Sequence, residues 1–356
     1  VLRSVLDKYQ YLPKQDRAFM TRLVDGTIEY MLQLDYIIDS FSKTKVKKMK
    51  PFIRNLLRMS VYQIKYMDAV PDSAVCNEAV KLAKRHKFAQ LSGFVNGVLR
   101  NIARNIDSVQ LDTLSIRYSM PQWIVDRFVA AYGEKKAEEI FKAFHNKSTI
   151  SIRTNLTRCT PDELRATLEA EGVTVTAVDE LNYAFVISGF DYLNGLQSFR
   201  DGLFYVQDIS SMLVAQTAAP KKGDYVIDVC AAPGGKSTHI AELLQGSGHV
   251  LARDLTDNKV DMIEENIDRH GLNNMSAEVW DATVFDADSA GKADILICDL
   301  PCSGLGVLGR KKDIRYKMTP ESVDELVVLQ RQILDTVHTY VKPNGVLVYS
   351  TCTIDE

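Results

Sequence analysis

The 356-residue sequence predicts a multidomain chain: an all-α bundle, a small α+β unit, and an α/β domain with a mostly parallel sheet. Three observations predict it. Apolar residues recur at helical spacing through residues 1–117. The period then shortens to that of strands in "STISIRTNL" and "YAFVIS", and from about residue 200 short β-branched runs alternate with amphipathic ones. The boundaries expected on this basis are 1–117, 118–200 and 201–356. Such a length exceeds one ordinary core, and 46% hydrophobic with 25% charged residues excludes a disordered or fibrous chain.

In the bundle, "DRAFMTRLVDGTIEYMLQLDYII" repeats Phe19, Leu23, Ile28, Met31, Leu32 and Tyr36 along one helical face. Pro51 opens a further helix, Asp72 or Ser73 is expected to cap the next, and Phe94, Val98 and Ile102 line a face of the last. Residues 1–117 hold 20 Lys and Arg against 11 Asp and Glu, a net of +9, whereas the remainder nets −12 with 23 against 35. This asymmetry points to a polyanion partner for the bundle, with the densest charge in "KTKVKKMKPFIRNLLR" (43–58) and "KLAKRHK" (81–87). A solvated basic face without a partner is the competing reading.

Residues 118–145 read as two helices broken at Gly133. "TPDELRATLEAEG" is a helix between the two alternating runs. Farther on, "YVIDVC", "HVLARD", "SAEVWD", "ADILICD" and "GVLVYST" are strands separated by helices, which implies a sheet covered on both faces. Ligands of such sheets bind at the carboxyl ends of the strands.

At one such end lies "DVCAAPGGKST" (228–238). A phosphate-binding P-loop needs glycine where this chain has Cys230, and Pro233 has no N–H to offer a phosphate. A nucleotide-hydrolysing reading is therefore weak, although Asp299 resembles a magnesium-binding acid. The dinucleotide pattern Gly-x-Gly-x-x-Gly is missing too. What remains is a glycine turn with Asp254, Asp281 and Asp299 at the tips of the second, third and fourth strands. These carboxylates suit ribose hydroxyls, an adenine edge and a cationic centre, as in S-adenosylmethionine.

The six cysteines contain no C-x-x-C pair and no histidine cluster beside them, which argues against disulfides and against a metal site. Cys76, Cys159 and Cys298 read as packing residues. Cys302 and Cys352 follow the fourth and fifth strands on the edge that carries the turn, and two thiols converging there suggest covalent catalysis. No apolar run approaches the ~20 residues of a membrane helix and no signal peptide is evident, so a cytoplasmic protein is expected. The chain begins at Val1 and stops just after a strand, as a piece of a longer protein would.

The motifs "QDISS" (207–211), "CAAPGGKS" (230–237), "DLPCSGLG" (299–306) and "STC" (350–352) resemble the signatures of RNA cytosine-C5 methyltransferases of the Nol1/Nop2/Sun group. The helical region with "VNGVLRN" (95–101) is similar to the NusB-like domain of the RsmB/Fmu (Sun) branch. The resemblance spans nearly the whole chain. It implies a NusB-like bundle, an RRM-like α+β unit and a Rossmann-like methyltransferase domain, and it departs from the usual pattern at Leu300 and Leu305. It also implies a function: methylation of C5 of a cytosine in 16S ribosomal RNA; apart from the resemblance, a monomer without a metal is expected. Cys352 would be the nucleophile that adds at C6, and Cys302 would assist release. Cys230, Ala231, Ala232, Pro233, Gly234, Gly235, Lys236, Asp254, Asp281 and Asp299 would bind S-adenosylmethionine, with Lys236 holding Asp299. Arg153 and Asn155 either help to seat the substrate or are purely structural. A transfer-RNA target and a non-catalytic RNA-binding factor are the alternatives.

Overall fold

The computed structural model describes residues 7–9, 11–146 and 149–355. These fall into two compact units, one of Val1–Asn146 with Leu305–Thr319 and Ile354–Glu356, the other of Lys147–Gly304 with Pro320–Thr353.

The first unit is helical. Its main helices are Lys14–Glu29, Met31–Phe41, Pro51–Tyr66, Asp72–Arg85 and Ser92–Asn105, followed by Gln122–Tyr132 and Glu134–Phe144 on either side of Gly133 at φ 75°. Leu34, Ile37, Leu57, Val61, Leu99 and Ile102 are buried among them. The expected first long helix is broken at Tyr30, and Phe19 and Tyr36 remain exposed rather than joining the buried face. Nor does Asp72 cap its helix: Pro71 occupies the cap position and Asp72 is the first helical residue. The two helices after residue 118 belong to this unit, as does 305–319. Leu305 and Leu308 pack with Met120, Ile124, Phe128 and Phe141, which accounts for an apolar side chain at 305.

The second unit holds two sheets. In the smaller, β1 (Ile150–Thr154), β2 (Thr174–Val178), β3 (Leu181–Ser188) and β4 (Phe204–Val206) are ordered β2-β3-β1-β4, all antiparallel. A capping box, Thr160 with Glu163, starts the intervening Pro161–Ala170 helix.

The larger sheet contains β5 (Tyr225–Asp228), β6 (His249–Asp254), β7 (Met275–Val279), β8 (Ala293–Asp299) and β9 (Val341–Ser350) in the order β7-β6-β5-β8-β9, every pair parallel. Alternation divides its core. Val226, Ile295 and Ile297 meet Ile240 and Ile263 on one face, while Ile227, Leu296 and Cys298 meet Ile333 and Val337 on the other. Because β5 is first in sequence but central in space, the chain leaves it to one side for β6 and later to the other for β8. The carboxyl end of β5 is thus the switch point, where such sheets open a crevice.

Candidate active site

The turn after β5 is fixed from both sides. Ala231 N–H donates to the Arg253 carbonyl at 2.8 Å and Ala232 N–H to Asp254 Oδ2 at 2.9 Å, so β6 fastens the turn's first half. The Ala232–Pro233 peptide is cis, and Gly234 follows at φ 98°, a conformation open to glycine and poorly tolerated by a side chain. Gly235 then opens the Gly235–Leu243 helix. Lys236 Nζ reaches Asp299 Oδ2 at the end of β8, 2.5 Å away, and Ser350 Oγ donates to Asp299 Oδ1 at 2.8 Å. Asp299 therefore ties the turn to the end of β9.

Two residues past β9, Cys352 meets Cys302. Their sulfur atoms lie 3.2 Å apart, Cys352 N–H donates to Cys302 Sγ at 3.3 Å, and the neighbouring hydroxyls of Ser303 and Thr353 are 2.7 Å apart. The hydrogen bond from the Cys352 thiol is the main influence on Cys302. Partial burial opposes it, the backbone N–H groups of Gly304 and Cys352 assist, and the Cys302 thiol comes down to about 6. The proton belongs to the pair rather than to one sulfur. Burial does the opposite elsewhere: it pushes Cys159 up to about 11, Cys298 to about 12 and Cys230 well above its usual range. Iodoacetamide at pH 7 is accordingly expected to modify the 302/352 pair first, at a rate that falls as pH drops through about 6, as read by peptide mass spectrometry. Prior labelling of Cys230 would contradict this order.

The other acids differ among themselves. Asp254 is 4% exposed; besides Ala232 N–H it receives Leu255 N–H at 2.8 Å and Lys259 Nζ at 2.7 Å. Asp281 lies two residues beyond β7 rather than ending it. Its carboxylate is exposed and holds its own loop through Thr283 N–H and Oγ1 at 2.9 and 2.7 Å. Trp280 N–H, donated to the Asp254 carbonyl at 2.9 Å, keeps that loop beside β6.

Two neighbours of the turn escaped the sequence reading. Asp228 is 1% exposed, and burial raises it to about 7 against the pull of the 2.5 Å hydrogen bond from Ser237 Oγ. Its place at the end of the first strand was the available signal. Tyr205 had none: from β4 its hydroxyl donates to the Pro233 carbonyl at 3.3 Å, and a methyl group on Gly235 would stand 3.0 Å from its ring.

Arg153 and Asn155 do not face a substrate. Both are buried, at 1% and 0% exposure. Arg153 is the cross-strand partner of Tyr205 and donates to Glu242 Oε1 at 3.1 Å and Thr238 Oγ1 at 3.3 Å, on the helix that follows the turn. Glu242 also meets His270 Nδ1 at 3.3 Å, and Asn155 Nδ2 donates to the Gly202 carbonyl at 2.9 Å. The smaller sheet thus buttresses the turn and its helix. Among the described residues no group of His, Cys, Asp and Glu could hold a metal ion, and no helix is long and apolar enough to cross a membrane.

Comparison with known proteins agrees with this arrangement. Residues 215–356 match the family model for 16S rRNA methyltransferase RsmB/F, residues 1–104 the NusB family, and residues 120–190 the RsmF/B-like ferredoxin-like domain. The chain is 38% identical over 363 residues to the probable ribosomal RNA small subunit methyltransferase B of Bacillus subtilis, covering 100% of this chain and 80% of the relative. Against the protein of the same name in Synechocystis it is 33% identical, covering 98% and 80%. The solved structure of PH0851 shares the fold at a TM-score of 0.85 and 24% identity, over 99% of this chain and 81% of that one. With this degree of identity along its whole length, the chain belongs to the ribosomal RNA small subunit methyltransferase B family.

Proposed function

We propose that the chain transfers a methyl group from S-adenosylmethionine to C5 of a cytosine in 16S ribosomal RNA, acting in the cytoplasm as a monomer. In this reading residues 201–356 carry the transfer, 1–117 dock RNA, and 118–200 are a helical linker with the small α+β unit. The observation that carries it is the pair of thiols 3.2 Å apart beside an acid, Asp299, that is hydrogen-bonded to the glycine turn.

The donor set around the turn fits the methyl donor better than a triphosphate. Asp254 bonds to the turn and Asp299 to Lys236 just after it, Pro233 lacks an N–H, and the lysine that would reach a phosphate is thereby engaged. Residues 230–236 with Asp254, Asp281 and Asp299 would hold the donor, hydroxyl donors taking the place of Lys259 on Asp254. When bound, the donor supplies an electrophilic methyl group on a cationic sulfur.

C5 of cytosine is a weak nucleophile until electrons are supplied from C6. Cys352, as thiolate, forms a bond to C6, and the C5–C6 π electrons become available at C5. As the new carbon–carbon bond forms the methyl–sulfonium bond breaks; the C5 proton then passes to the Cys302 sulfur, the double bond re-forms and the sulfur–C6 bond breaks, freeing Cys352. Asp299, oriented by Lys236 and Ser350, is placed to accept from an amino group. The base must be unpaired or flipped to reach two thiols at a strand end.

The test is methyl transfer from labelled S-adenosylmethionine to 16S rRNA and to a transfer-RNA transcript, with nucleoside mass spectrometry. The expected product is 5-methylcytidine in the ribosomal RNA. Methylation of transfer RNA alone, or none at all, would refute the reading.

A further inference from the structure

The two basic stretches of the bundle meet in space. Residues 43–54 lead into the Pro51–Tyr66 helix, and residues 81–88 end the Asp72–Arg85 helix and turn back. Phe52 joins them: its ring lies 5.2 Å from Phe88 at an interplanar angle of 3°, and 4.7 Å from His86 at 31°. Phe52 and Phe88 are half-buried, whereas His86 is exposed. Around these rings Lys47, Lys48, Lys50, Lys84, Arg85 and Lys87 are all exposed.

No acid lies between Asp39 and Asp68, or between Glu78 and Asp107, so neither segment supplies a carboxylate to this surface. Lys84 and Arg85 stand in the last turn of their helix, where its dipole favours cations, but the other charges have no such local explanation. Lys47, Lys48 and Lys50 precede the N-terminus of a helix, where the helix dipole disfavours cations. Lys87 has φ 67°, a left-handed conformation suited to glycine, so a charged side chain is kept there at a conformational cost of about 1 kcal/mol. Arg54 Nε is buried without a hydrogen-bond partner among the described residues. A surface that concentrates cations from two segments, several of them against local backbone preferences, around an exposed aromatic ring, matches the chemistry of a single-stranded polynucleotide: phosphates for the lysines and an unpaired base for the ring.

We propose that the face formed by residues 47–54 and 84–88 is a docking site for single-stranded RNA, in which the lysines and Arg85 hold phosphates and His86, backed by Phe52 and Phe88, stacks on a base. The inference names the RNA contact of the proposed methyltransferase and rests on that reading for the identity of the nucleic acid. An acidic protein would meet the charges equally well but leave the exposed ring without a role.

The experiment is fluorescence anisotropy of the whole chain with a labelled single-stranded oligoribonucleotide, titrated over a range of salt, with heparin as a polyanion that lacks bases. The triple variant Lys47→Gln, Lys48→Gln, Lys50→Gln should lower the magnitude of the salt slope by about 2, since each single-strand phosphate contact contributes about 0.7. His86→Ala should weaken RNA binding about tenfold with the slope unchanged, and should leave heparin binding as it was. Lys136→Gln, on another helix, should change neither. An unchanged slope in the triple variant, or an equal effect of His86→Ala on heparin and RNA, would overturn the proposal. Methyl transfer separates the two readings. The triple variant is expected to raise KM for ribosomal RNA with kcat kept, and an unchanged KM refutes the docking face while leaving the enzyme reading intact. Absence of transfer by the wild-type chain refutes the enzyme reading, whereas anisotropy still tests the face.

Discussion

Cys352→Ala is expected to lose methyl transfer by more than about 10⁴-fold, because without a sulfur to add at C6 the remaining groups can bind both reactants but cannot supply electrons to C5. Cys302→Ala should behave differently. Its partner sulfur can still add to the base, so turnover stops after addition and a protein–RNA complex that survives denaturing electrophoresis should accumulate. The geometry explains why neither residue substitutes for the other. Cys352 is exposed and Cys302 is half-buried behind it, receiving the Cys352 N–H and sharing a hydrogen bond with its thiol. The pair shares one proton, and Cys352 is the sulfur that a base can approach. Equal loss of activity in the two variants, with no trapped complex in either, would argue against separate roles.

The second large effect concerns stability. Arg153→Met is expected to destabilise the protein by about 3–5 kcal/mol, since it leaves the Glu242 carboxylate, 2% exposed in its side chain, without its arginine. Burial pulls the pKa of His270 down, which disfavours a replacement charge on its ring. Replacing Arg153 and Glu242 together by apolar residues should recover much of the loss, because an apolar pair of similar volume needs no compensating charge. Urea unfolding measures both. The site should feel the change as well, because Thr238 and Glu242 lie on the helix whose first turn is Gly235–Lys236, and Tyr205 holds Pro233 from the adjacent strand. A weaker affinity for the methyl donor in Arg153→Met protein that is still folded is therefore expected. An unfolding midpoint equal to that of the wild type would show that the buried pair contributes nothing.

Much of the fold was legible because its signals are local. Five β-branched runs separated by amphipathic ones, the helical run "TPDELRATLEAEG" and a glycine break at 133 each act within a few residues. The turn, its acids and the two thiols were legible because the ends of parallel strands gather on one edge. The unread features depend on distant partners. Arg153 could be read as seating the substrate or as purely structural, and its partner, Glu242, is 89 residues away. Strands β2 and β4 are short, and β4 forms where β1 offers it a register, with Arg153 opposite Tyr205. Leu305 read as a neutral departure from a motif, yet it is buried against helices some 160 to 185 residues earlier in the chain. Nothing in their own neighbourhoods announces such contacts.

The central claim is that two sulfur atoms act on one base with divided roles. It is tested most directly by locating the covalent bond. RNA carrying 5-fluorocytidine cannot lose a proton from C5, so the sulfur–C6 bond should persist after methyl transfer and survive proteolysis. Mass spectrometry of the resulting peptides should find the methylated nucleotide on Cys352 and leave Cys302 unmodified. A nucleotide attached to Cys302, or methyl transfer with no nucleotide on either sulfur, would contradict the account.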